Sequence, residues 1–246
     1  MNELVKKLIT TRSLTLDEYE RLIIERTDEI ANELKIEAVR VRKEIYGNEV
    51  FLRGLIEISN YCKNDCYYCG IRRSNRNCER YRLQKSEILE CCAEGYELGL
   101  RTFVLQGGED IYYTDEVMSD IVSSIKEKYP DNAVTLSLGE RSRESYEILK
   151  KAGADRYLLR HETADKCHYE TLHPREMSFE NRFRCLKDLR ELGYAVGCGF
   201  MVCSPNQTPS TIAKDLKFIE TFSPEMCGIG PFIPHEKTPF GTHETG

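Results

Sequence analysis

The chain has 246 residues, enough for one large α/β domain or two small ones. A net charge of −6 and a pI of about 5.6 argue against a protein that grips a nucleic-acid backbone, since Arg72, Arg73 and Arg76 form only a short basic cluster. No apolar run reaches the roughly 18 residues of a membrane span, the first residues lack the apolar core of a secretory leader, and eleven cysteines, an odd number, fit a reducing cytoplasm and metal binding better than a disulfide framework.

Residues 2–46 predict helices. Thr15 and Glu18 set a Thr-x-x-Glu capping box, residues 29–45 keep apolar positions at helical spacing, and Gly47-Asn48 breaks the run. Residues 1–48 are therefore read as an N-terminal helical segment and 49–246 as the main domain. There, short apolar runs alternate with helical patterns. Strands are expected at 50–59, 102–106, 133–138, 156–160, 195–202 and 226–233. The helices between them end at Gly99, Gly153 and Gly193, where glycine supplies a left-handed cap. Such alternation means βαβ units and a parallel sheet. Six strands fit a (β/α) barrel better than a small open sheet, although periodicity leaves a doubly wound sheet open. A closed eight-stranded barrel takes about 250 residues. Here about 50 precede the first strand and the chain stops soon after the sixth, so the expectation is a barrel of about six βα units, a shortened form of a longer protein.

The first strand runs into EISNYCKNDCYYCGIRR, which sets Cys62, Cys66 and Cys69 as C-x3-C-x2-C. Thiolates are the standard ligands of iron–sulfur clusters. Three in one loop can hold three irons of a 4Fe–4S cubane and leave the fourth open, as catalytic metal sites keep a position free. A structural zinc would want a fourth ligand close by, and only Cys78 offers one. Tyr68 can shield such a cluster, and Gly70 permits close backbone approach. Cys185 and Cys198, among apolar neighbours, read as small core residues.

Later strand ends carry further polar groups. In QGGED, Gly107 and Gly108 admit a ligand close to the backbone and Glu109 can accept from an ammonium group, unless the motif is a simple tight turn. No Gly-Lys-Ser/Thr follows, so it is not a phosphate loop. Strand three runs into TLSLGE, with Ser137 and Glu140, and strand four into RHET. Arg160 and Glu162, two apart on a strand, share a face. Pointing inward they would be costly to bury without a polar ligand or each other, while His161 should face away. A helix starting near Ser178 carries Arg182 in its first turns, which alone would read as a surface arginine. Strand six gives GIGPFIPH.

Together these strings resemble the radical S-adenosylmethionine superfamily, whose signature is C-x3-C-x-aromatic-C, and within it the FeFe-hydrogenase maturases of the HydE type. The likeness runs over about residues 45–239, through EISNYCKNDCYYCGIRRSN, VTLSLGE, AGADRYLLRHETA, SFENR and GIGPFIPH. It implies a TIM-type barrel that binds a 4Fe–4S cluster and S-adenosylmethionine and produces a 5′-deoxyadenosyl radical. The cofactor would meet Tyr68, Gly107, Gly108, Glu109, Ser137, Glu162 (at the ribose) and Arg182 (at the carboxylate). Arg160 would face the substrate as a catalytic-site group able to fork a carboxylate. The resemblance further implies a small-molecule or organometallic substrate, other hydrogenase maturases as partners, a reductant such as ferredoxin or flavodoxin, and a role in building the diiron part of the H-cluster. Competing readings are an enzyme like methylornithine synthase or biotin synthase, and a non-catalytic iron–sulfur scaffold. One departure stands out: where the family reads Met-Val-Gly-x-Pro-Gly-Gln-Thr, this chain has MVCSPNQT. Asn206 tolerates a left-handed backbone, whereas Cys203 would crowd the cavity if the glycine is there for space.

Overall fold

The computed structural model describes residues 1–242. Three helices come first: α1 (Glu3–Thr11), α2 (Leu16–Ile24) and α3 (Asp28–Tyr46). The Thr15–Glu18 capping box forms, and Gly47 ends α3 at φ +61°. Six strands follow: β1 (Gly54–Ser59), β2 (Thr102–Gly107), β3 (Ala133–Ser137), β4 (Arg156–Leu158), β5 (Ala195–Val202) and β6 (Met226–Pro231). Helices α4 (Lys85–Glu97), α5 (Asp115–Lys128), α6 (Arg143–Lys151), α7 (Lys166–Leu172), α8 (Phe179–Glu191) and α9 (Pro209–Phe222) lie between them. Gly99, Gly153 and Gly193 all have positive φ just past their helices, as a glycine cap requires.

The strands form one parallel sheet in strict chain order, β1 to β6. A doubly wound sheet reverses its order at a switch point; this one never does, so it curls as the arc of a barrel. Strand one starts four residues later than the apolar run suggests, because Val50, Phe51 and Leu52 are exposed rather than paired. Strand four stops at Leu158, so Arg160 and Glu162 stand on the segment beyond it.

The main core lies between the sheet and its outer helices. Ile58, Phe103, Leu105, Leu136, Tyr157 and Cys198 meet Ile88, Met118, Ile121, Ile125, Leu149 and Leu189 there. Cys185 and Cys198 are both fully buried in it, as small apolar residues. The N-terminal helices build a second core against α9 through Leu4, Val5, Leu14, Tyr19, Leu22 and Ala213. The Tyr19 hydroxyl donates to Glu220 Oε2 at 3.0 Å and Lys217 Nζ to the Leu14 carbonyl at 2.9 Å, which ties that segment to the barrel.

Candidate active site at the C-terminal end of the sheet

Residues 60–81 carry the three cysteines with no regular secondary structure beyond one isolated bridge at the following Arg82. Side chains therefore hold the loop. Arg80 donates to the carbonyls of Asn60, Ile71 (2.9 Å), Arg72 (2.8 Å) and Asn75 (3.1 Å). Asp65 accepts from Arg72 Nε (2.7 Å), the Ser74 amide (3.0 Å) and the Ser74 hydroxyl (2.6 Å). At its base, buried Asp110 accepts from Arg82 Nε and Nη2 (2.7 and 2.9 Å) and from the Ser59 hydroxyl (2.6 Å), clamping the ends of β1 and β2. Burial pushes the Asp110 carboxyl up, but the Arg82 and Ser59 hydrogen bonds outweigh it and hold it below its usual range.

Two glycines admit this loop. A Cβ on Gly108 would lie 2.2 Å from the Tyr61 carbonyl oxygen and 2.8 Å from Cys62 Cβ, so Gly108 lets the loop seat against the end of β2. Gly70 makes room for the His235 ring, 2.7 Å from where its Cβ would be, rather than for backbone.

Cys62, Cys66 and Cys69 line a cavity of about 540 Å³ at the C-terminal end of the sheet. The other residues singled out from sequence line the same cavity: Tyr68, Gly107, Gly108, Glu109, Ser137, Arg160, Glu162 and Arg182. Its position is where barrels of this kind place chemistry. Burial pushes all three thiols up, and around Cys66 the neighbouring Cys69 and Cys62 add to it. Three thiolates there need a cation to offset that penalty.

Helix α8 starts at the Ser178 N-cap and brings Arg182 into the cavity wall, buried. Its Nε donates to Glu140 Oε1 and its Nη1 to the Arg160 carbonyl, both at 2.5 Å. Tyr68 is oriented from behind. His173 Nδ1 faces the Tyr169 carbonyl at 3.0 Å, which can only accept, so the proton is assigned to Nδ1. The free Nε2 then accepts from the Tyr68 hydroxyl at 3.2 Å. Burial drives His173 down to about 3, so it stays neutral. Glu109 turns partly aside: Oε1 accepts from the Glu140 amide at 2.8 Å and Oε2 pairs with Lys63 Nζ at 3.1 Å.

Arg160 and Glu162 do reach the cavity together, with Nη2 and Oε2 3.3 Å apart, but strand alternation is not the cause. Glu162 sits at φ +65°, a left-handed conformation that costs a non-glycine residue about 1–2 kcal/mol. That local reversal turns its carboxylate inward. His161 faces the opposite side, as expected, among Phe183, Phe200 and Phe218.

The donor set fits a metal cluster with a polar ligand beside it. Arg160 Nε is buried with no hydrogen-bond partner, and Arg160 Nη2 and Glu162 Oε2 meet only each other, at 3.3 Å without an aligned hydrogen bond, which leaves both with capacity for a polar group in the cavity. Among the described residues no three His, Cys, Asp or Glu side chains converge to hold a single ion. Three thiols lining one cavity suit a group with several metal atoms.

Sequence reasoning passed over Met177, whose sulfur lies 3.4 Å from Cys66 Sγ, and gave no role to His173 behind Tyr68. Met177 lies in a connection without periodicity, and nothing in its neighbourhood marks it. Glu140 was noted only as a strand end, although it anchors Arg182. Cys203 does not crowd the cavity: it is exposed, with φ +61°, and Asn206 has φ +63°. Glycine suits both positions for backbone conformation, not for space.

The chain belongs to the radical SAM superfamily, whose family model matches residues 56–219. It is 50% identical over 85% of its length to the [FeFe] hydrogenase maturase subunit HydE of Thermotoga maritima, and covers 59% of that protein. It is 31% identical over 95% of its length to 3-methylornithine synthase of Methanosarcina acetivorans, covering 66%. The chain thus spans less than two thirds of either relative. The crystal structure of methylornithine synthase (PylB) superposes with a TM-score of 0.89 at 28% identity, over 99% of this chain and 72% of that one. No helix among the described residues is long and apolar enough to cross a membrane.

Proposed function

We propose that the chain is a radical S-adenosylmethionine enzyme of FeFe-hydrogenase maturation, acting in the cytoplasm with other maturases to build the diiron part of the H-cluster. The observation that carries this reading is a single cavity lined by the three thiols of C-x3-C-x2-C together with Arg160, Glu162 and Arg182; the likeness to HydE gives it direction. Cys62, Cys66 and Cys69 would hold a 4Fe–4S cluster. When bound, the cluster supplies one electron to S-adenosylmethionine, whose C–S bond breaks to methionine and a 5′-deoxyadenosyl radical.

The protein groups bind and orient. Glu162 Oε2, ion-paired with Arg160 but in no aligned hydrogen bond, can accept from ribose hydroxyls, and Arg182, held by Glu140, presents its remaining donors to a carboxylate. Gly107 and Gly108 line the cavity while letting β1 and the cysteine loop close against the end of β2, Ser137 adds a hydroxyl, and Glu109 can exchange Lys63 for a ligand's ammonium. Tyr68, fixed by His173, screens the thiols from water. Arg160 keeps Nε for a small-molecule or organometallic substrate carrying a carboxylate, and could turn Nη2 from Glu162 to complete a fork. The electron would come from a protein such as ferredoxin or flavodoxin.

The test is anaerobic reconstitution with iron and sulfide, then dithionite and S-adenosylmethionine, with methionine and 5′-deoxyadenosine read by mass spectrometry. A full cluster that yields no deoxyadenosine would support a non-catalytic scaffold instead. The close superposition on methylornithine synthase keeps a second reading in play. Rearrangement of lysine by the reconstituted chain, without cluster-building activity alongside partner maturases, would favour it.

A further inference from the structure

We infer that His161 and Asp215, fully buried and outside the cavity lining, form a positioning pair that holds Glu162 in its left-handed conformation. The inference rests on the reading above that the Glu162 carboxylate meets S-adenosylmethionine. A left-handed glutamate relaxes unless its neighbours over-determine it, and here each neighbour is fixed. The Glu162 amide donates to the Gly199 carbonyl at 3.0 Å. On one side, the Gly199 amide donates to His161 Nδ1 at 3.2 Å, which assigns the imidazole proton to Nε2. That nitrogen lies 3.3 Å from Asp215 Oδ1 on α9.

On the other side, Asp215 Oδ1 accepts from the Ala164 amide at 2.5 Å. Thr163 is held as well: its hydroxyl meets His168 Nδ1 at 3.0 Å, while His168 Nε2 faces the Pro205 carbonyl at 3.0 Å. One carboxylate on the outer helix therefore grips the chain both before and after Glu162. The phenylalanine cage around His161 fixes the ring, with Phe218 at 4.7 Å between centroids. Both side chains are 0% exposed, so neither can serve a surface role. Asp215 Oδ2 and His161 Nε2 form no aligned hydrogen bond. A buried carboxylate kept under that strain is a poor stabiliser of the fold, and its geometry instead serves the turn at Glu162.

Releasing the pair lets Glu162 fall back to an ordinary backbone and swing its carboxylate away. The left-handed strain given above corresponds to about a tenfold loss in affinity for a ligand that needs the carboxylate. The experiment measures S-adenosylmethionine binding to the cluster-reconstituted chain by equilibrium dialysis. Wild type is compared with His161→Asn, which keeps an acceptor for the Gly199 amide, with Asp215→Ala, which removes the oxygen shared by Ala164 and His161, and with each change in a Glu162→Gln background. Iron content and melting temperature are recorded for every variant.

The expected result is about a tenfold weaker affinity for each single variant at near-normal iron content, and no further loss when Glu162 is already glutamine, because groups acting through one another are non-additive. An equal loss in both backgrounds, or unchanged affinity in both single variants, overturns the inference. If one of the two variants melts early, the other decides alone. Wild type that holds its cluster yet binds no S-adenosylmethionine overturns the functional reading and this inference with it, an outcome distinct from wild-type binding that the variants leave untouched.

Discussion

Replacing Gly108 with alanine isolates what seats the cysteine loop. The new Cβ would lie 2.2 Å from the Tyr61 carbonyl oxygen, about 1.2 Å inside the 3.4 Å at which ordinary contact begins, and 2.8 Å from Cys62 Cβ. Neither neighbour is the free end of a flexible side chain: one is backbone, the other the root of a proposed ligand. The loop must therefore lift by roughly an ångström, against the Arg80 and Asp65 hydrogen bonds that lock it. Overpacking of this kind costs about 1–3 kcal/mol, and here the displacement falls directly on Cys62. Gly107→Ala is the control, since its Cβ would meet the Ser59 carbonyl at 3.1 Å, a contact that a small shift relieves. Iron and acid-labile sulfide per chain after anaerobic reconstitution should fall severalfold for Gly108→Ala and stay near wild type for Gly107→Ala, with melting temperatures ranked the same way. Full iron loading and an unchanged melting curve in Gly108→Ala would refute the reasoning.

Cys203→Gly should stabilise the protein: relief of the φ +61° strain, about 1–2 kcal/mol, exceeds the 0.5–1 kcal/mol by which glycine's extra freedom favours the unfolded chain, giving a rise of about 2 °C in melting temperature. His173 has a folded-state pKa of about 3, below its unfolded value near 6.5, so its contribution is complete above that upper value and is lost as pH falls toward 3. Urea unfolding should show wild type losing about 2 kcal/mol through this group between pH 7 and pH 5, a slope that His173→Gln removes. Arg182→Lys cannot reach both Glu140 and the Arg160 carbonyl with a guanidinium fork. It should cost about 1–3 kcal/mol in denaturant unfolding, and Arg182→Ala, which leaves half-buried Glu140 with Asn181 as its remaining donor, somewhat more, about 3 kcal/mol.

Much of this was legible in the chain itself, where periodicity and punctuation carry the signal. The six strands stand where apolar runs alternate with helical patterns, and Gly99, Gly153 and Gly193 mark helix ends because only that backbone conformation turns the chain back to the sheet. Boundaries shifted where burial, not residue type, decides pairing: Val50 to Leu52 look like strand but have nothing to pair with. At the site, the residues singled out converge because a parallel sheet brings all its strand ends to one face. Groups acting through tertiary partners were hidden. His173 matters only because α7 sets it behind Tyr68, and Glu140 only because α8 brings Arg182 to it. The left-handed turn at Glu162 carries no mark in RHET, since glutamate is a poor residue for it.

The clasp that Arg80 and Asp65 put on residues 60–75 bears on the order of assembly. Small zinc modules stay unfolded until metal arrives, because the ion is their principal cross-link. In this protein a guanidinium and a carboxylate have already drawn the segment into its finished shape from its own carbonyls, amides and hydroxyls. If these cysteines hold the proposed cluster, that network would let chain folding and metal loading be separate events, with iron and sulfide meeting a mould rather than a loose ribbon.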